Sequence, residues 1–154
     1  MRLWFAAALV MLPGFAAADG VLPQALAGYR AACLASVPTF AGYRERALAA
    51  GFQMTKGTLR LPDSSARVEV FATEQGCACL TTMIAPDPDA TAHAALQASL
   101  DARPDQVLDG PTPQIAAVLV WHDGSNALQV ETDEQGQVPL VKTYLLSHLP
   151  CPQN

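Results

Sequence analysis

Cationic residues are scarce in this chain. Nine Lys and Arg stand against fourteen Asp and Glu in 154 residues, a formal net charge of −5. Nucleic acid and anionic membrane surfaces need clustered Lys and Arg, so the balance argues against both as partners. Histidine and methionine are few and scattered, three and four residues, so no His-rich or Met-rich metal tract exists. C-x-x-C pairs are missing, which removes the zinc-ribbon and thioredoxin-like patterns. There is no Gly-rich phosphate loop, no nucleotide fingerprint and no G-x-S-x-G elbow. The acidic clusters "PDPD" and "ETDE" do not follow the twelve-residue alternation of an EF-hand. No apolar run reaches the ~20 residues that span a bilayer, so no membrane span is expected.

The start of the chain carries the most specific signal. Met1-Arg2 is followed by an apolar run from Leu3 to Leu12, a Pro13-Gly14 break and the small residues Ala16-Ala17-Ala18. This is the layout of a secretory signal peptide, with cleavage expected after Ala18. Residues 1–18 are therefore read as the signal and 19–154 as one exported domain, periplasmic or secreted. Its charge is uneven: residues 19–76 hold six basic and five acidic residues, whereas 77–154 hold two and nine. A solvated surface that aids solubility is the preferred reading of this charge, and the same balance allows a basic partner for the C-terminal half.

Periodicity sketches the fold. Leu22, Leu26, Tyr29, Cys33 and Val37 recur at helical spacing, with Pro23 in the first turn. A second helix is expected near "PTFAGYRERALAAGF", capped by Ser36 or Thr39 and ended by Gly51. "KGTLRLP" is a short strand candidate. "ARVEVFAT" alternates Val68, Val70 and Ala72 against Arg67, Glu69 and Phe71, and "CACLTTMI" returns as its hairpin partner. A third helix, capped by Asp89 or Thr91, runs to about Ala102 with Ala92, Leu96 and Leu100 on one face. Arg103 to Pro113 reads as a loop. Three antiparallel strands then follow, with turns at Asp123-Gly124 and Asp133 to Gly136, and with Pro139 at an edge or bulge. The expected fold class is α+β: a largely antiparallel sheet of five to six strands, helices on one face, in the order α-α-β-β(-β)-α-β-β-β. The two strand blocks around the third helix suggest a loose pseudo-duplication.

The four cysteines are Cys33, Cys77, Cys79 and Cys151. An even number in an exported chain marks disulfides. Cys77 and Cys79 on one strand would face the same way with Cα atoms ~6.7 Å apart, too far for a relaxed mutual bond. Each should reach a different element, leaving Cys33 and Cys151 as partners. Cys33–Cys77 with Cys79–Cys151 is slightly preferred over the crossed pairing. The competing reading is a soft-metal or thiol-handling module built on Cys77 and Cys79 with His148, and with Cys33, Cys151 or His122 as further ligands. Strand geometry lends no help to a reactive thiol, so the structural reading outweighs it.

"WHDGSN" sets His122, Asp123 and Ser125 side by side, but neighbours in a tight turn rarely align as nucleophile, base and orienter. His93 belongs on a wet helix face. Trp121 and Tyr144 read as core. No catalytic residue and no cofactor is assigned. The functional expectation is a non-catalytic exported binding, adaptor or inhibitor-like domain acting on a protein or envelope partner.

Overall fold

A computed structural model describes residues 21–113, 115–121, 124–135 and 138–153. The signal-peptide reading and the His122-Asp123 turn lie outside the described residues.

The chain opens as a helix, α1 (Val21–Gly28), which widens into a π turn at Tyr29–Cys33 and tightens into a 3₁₀ turn at Leu34–Ser36. Apolar residues at helical spacing bury Ala25, Tyr29, Ala32 and Cys33 along one side. Ser36 ends the run by donating its hydroxyl back to the Ala32 carbonyl. The second helix, α2 (Tyr43–Ala49), starts later than the expected Ser36 or Thr39 cap. Gly42 in the left-handed region precedes it, and left-handed Gly51 ends it as expected. The third helix, α3 (Pro88–Asp101), is capped by Asp87 rather than by Asp89 or Thr91, with the Asp87 carboxylate accepting from the Ala90 amide at 3.0 Å. Its inward residues are Thr91, Ala95, Ala98 and Ser99, while Leu100 is exposed.

Among the described residues, eight strands form one antiparallel sheet, not five or six. They are β1 (Gln53–Thr55), β2 (Thr58–Arg60), β3 (Arg67–Thr73), β4 (Gly76–Ile84), β5 (Gln106–Asp109), β6 (Ile115–Trp121), β7 (Gly124–Gln135) and β8 (Val138–Ser147). Their order across the sheet is β1-β2-β3-β4-β8-β7-β6-β5. Each half is a four-stranded meander preceded by helix, and the two meet at the antiparallel pair β4–β8. The two strands absent from the expected order, β1 and β5, are the two outer edges of the sheet. β7 also runs on through Asp133 to Gln135, where a turn was expected. Pro139 pairs with Glu134 of β7 but lies beyond the end of β4, whose pairing with β8 stops at Leu140. Its missing N–H is harmless there.

Alternation along the strands decides which face is covered. Val68, Cys77, Cys79, Met83, Val141, Leu145, Leu128 and Leu119 point to one face and are almost fully buried. α1 and its π turn pack against β4, and α3 against β7 and β8. Tyr29 joins the two helical segments through a buried hydroxyl pair with Ser99 at 2.8 Å. Burial pushes the Tyr29 phenol well above its usual range, and the Ser99 hydrogen bond opposes this only in part. Helices packed on one face are expected, and the packing differs at α2. α2 packs instead against the π turn and the two outermost strands of the first half, β1 and β2.

Candidate binding face of the sheet

The cysteines fix what the central strand can do. Cys33 bonds Cys79, with Cα atoms 5.6 Å apart, and Cys77 bonds Cys151 at 4.9 Å. This is the crossed pairing, and the sheet register explains why the preferred one is wrong. β4 begins opposite the end of β8, so Cys77 faces Ser147 and lies where the tail leaves the sheet. Cys79, two residues further in, sits beneath the π turn that carries Cys33. Gly76 permits the close start of β4: a Cβ there would come 2.2 Å from the Ser147 carbonyl oxygen.

All four sulfurs are consumed in these bonds. The Cys77–Cys79–His148 ligand set therefore has no thiolate to offer in this form. His148 is exposed just past β8, and His93 is exposed on α3. Among the described residues, no cluster of three His, Cys, Asp or Glu could hold a metal ion. The acidic motifs are divided among separate tasks: Asp87 caps α3, and Glu131 is hydrogen-bonded by Gln129 on the sheet.

The other face of the sheet carries a feature that linear reading misses. Cross-strand partners share a face. Phe71 pairs with Ala78, Ala78 with Leu146, Leu146 with Ala127, Ala127 with Val118, and Val118 with Leu108. One apolar row thus crosses six strands, from β3 to the outer edge at β5. No described helix packs on it. Ala78 is fully buried, Leu146, Ala127 and Val118 are half-buried, and the two ends of the row are exposed, Phe71 at 40% and Leu108 at 51%. A shallow cavity of about 270 Å³ lies on this face, with Thr73, Val118, Ala127, Leu146 and His148 in its lining.

Polar rows run beside the apolar one. The next row holds Glu69, Leu80, Tyr144 and Gln129, and the one after it Arg67, Thr82, Lys142 and Glu131. Arg67 lies 3.7 Å from the Glu69 carboxylate, and its Nε donates to Thr82 at 3.4 Å. These charges mostly answer one another within the face. Tyr144, read from sequence as core, is one of this face's half-buried residues. An apolar strip therefore lies directly beside polar groups on this face.

No helix of the described residues is long and apolar enough to cross a membrane. No family model, no curated protein and no solved structure matches this chain.

Proposed function

We infer that this is an exported, non-catalytic binding domain that engages a protein or envelope partner through the helix-free face of its sheet. One observation carries the reading: the six-strand row from Phe71 to Leu108, apolar at every position and uncovered by any described helix. Contiguous exposed apolar surface on a folded domain marks interaction sites. The two disulfides support an oxidising compartment, where such bonds persist. The export signal read at residues 1–18 and the acidic C-terminal half fit the same picture, the latter favouring a basic partner.

The test uses tagged mature protein, residues 19–154, with both disulfides intact. Phe71 is exposed, so Phe71→Glu puts a charge into the row at little cost to folding. Capture from a periplasmic extract should recover a partner with the parent protein and lose it with Phe71→Glu. Equal recovery by both proteins, or turnover of a substrate by the purified domain, would overturn the reading.

A further inference from the structure

The row ends at an edge that is unlike its counterpart across the sheet. β5 is hydrogen-bonded to β6 on one side only, and all four of its residues are exposed. Such edges template pairing with other chains, and folded proteins usually blunt them with short length, Lys, Pro or a bulge. β1 shows that treatment: it is three residues long and runs straight into Lys56. β5 has no Lys and no Pro, and its register with β6 is unbroken from Gln106 to Asp109. At its centre stand Val107 and Leu108, 48% and 51% exposed, the two most exposed large aliphatics among the described residues. They point to opposite faces, Val107 beside Leu119 and Leu108 beside Val118.

We propose that the outer edge of β5 takes up an extended, cationic segment of a partner polypeptide as a ninth strand of the sheet. The proposal rests on the binding-domain reading above and specifies the partner's chemistry. Main-chain hydrogen bonds along an edge supply affinity, and alternate side chains supply selection. An added strand would place one apolar side chain next to Leu108, extending the row by one position, and the next on the Val107 side. Asp105 and Asp109 bracket the two aliphatics, and residues 77–154 carry nine acidic groups against two basic ones. Lysines or arginines flanking the incoming apolar residues would meet that field. A second copy of this chain is the poorer occupant. Antiparallel self-pairing centred on Val107 sets Asp105 opposite Asp109 on both sides, and like charges opposite each other are destabilising. The two copies also share the same net negative charge.

The experiment uses the disulfide-intact mature chain, ¹⁵N-labelled. The probe is a capped octapeptide alternating lysine and valine, with a glutamate–valine peptide as control. Amide exchange at Gln106–Asp109 should slow at least tenfold with the lysine peptide and stay unchanged with the glutamate peptide. The effect should weaken as salt is raised, since exposed charges are screened. The double variant Val107→Lys/Leu108→Lys, which copies the lysine defence of β1, should lose at least tenfold in affinity while keeping its melting temperature. Protection at β1 instead of β5, equal binding of both peptides, or a peptide-free dimer that protects β5 would overturn the proposal. The periplasmic capture separates the two failures. A partner lost with Phe71→Glu but retained by the β5 variant overturns the edge proposal and leaves the binding face standing. Loss with both supports the two together.

Discussion

The two halves of the sheet follow one plan and end differently. Each begins with helix and proceeds through a four-stranded meander whose last strand, β4 or β8, lies at the centre. The first half is closed on itself. Cys33 in its opening helical run is bonded to Cys79 in its last strand, α2 packs against its outer strands, and its edge is three residues long. The second half has no internal disulfide. Its tail is tied to the first half through Cys151, and its edge strand stands open. The same strand order thus serves as a stapled scaffold on one side and as an accessible surface on the other. On the binding-domain proposal, stability and recognition fall to different ends of one sheet.

The largest expected effect tests that division. Chain entropy alone ranks the tail bond first, because it closes 74 residues of sequence against 46 for Cys33–Cys79. Packing should reverse the order. Both sulfurs of Cys33–Cys79 are fully buried, so its loss also loosens helix-to-sheet contact in the core. Without Cys77–Cys151 the folded state itself gains freedom, since only the short tail beyond Ser147 is released. The expected cost is about 4 kcal/mol for Cys33→Ala/Cys79→Ala and about 2 kcal/mol for Cys77→Ala/Cys151→Ala, read by urea denaturation. Equal costs, or a larger cost for the tail bond, would break the contrast between the halves.

These elements were not equally legible in the sequence. Alternation in "ARVEVFAT" and "CACLTTMI" marks β3 and β4 because one face of each is buried. The same spacing rule sends Cys77 and Cys79 to separate partners. Which partner each takes depends on the pairing of Cys77 with Ser147, two strands some seventy residues apart. β1 and β5 left no trace because their residues are exposed and too short for a period; a neighbour's hydrogen bonds make them strands. The same alternation puts Phe71 with Arg67 and Glu69, on the face away from Val68. That it lies in line with Leu146, Val118 and Leu108 follows only from the register. The missed edges and the missed row share one cause: both are properties of alignment between strands, which local periodicity does not encode.

A smaller effect probes the bridge between the halves. Tyr29 belongs to the first helical run and Ser99 to α3, and their hydroxyls meet in the core. Ser99 also donates to the Ala95 carbonyl at 2.8 Å, so Tyr29→Phe leaves it satisfied. The loss should be about 1 kcal/mol. The pH dependence is more telling. Burial raises the Tyr29 phenol above its unfolded value of about 10, so the unfolded chain releases the proton first. The contribution to stability is therefore full below about pH 10 and declines as pH rises past it. The slope would approach 1.4 kcal/mol per pH unit from this one group. Denaturation midpoints measured from about pH 8 to 11 should fall more steeply for the parent protein than for Tyr29→Phe. Parallel curves would show that burial does not hold the Tyr29 phenol protonated.

The smallest effect on stability carries the sharpest contrast. Met54 on β1 and Leu108 on β5 are both exposed aliphatic positions on edge strands, 42% and 51% accessible. Met54→Lys and Leu108→Lys should each change stability by no more than about 0.5 kcal/mol, because both positions are already about half exposed and the lysine stem can keep the apolar contact. They should nevertheless differ in behaviour at high protein concentration. β1 is already defended by its length and by Lys56, so Met54→Lys alters little. β5 presents an undefended edge, and Leu108→Lys puts a charge into it, which should raise the ammonium sulfate concentration at which the protein precipitates. Precipitation curves for the two variants and the parent, recorded side by side, make the comparison. If Met54→Lys shifts the curve as far as Leu108→Lys does, the edges are equivalent. The second half would then owe nothing special to its open strand.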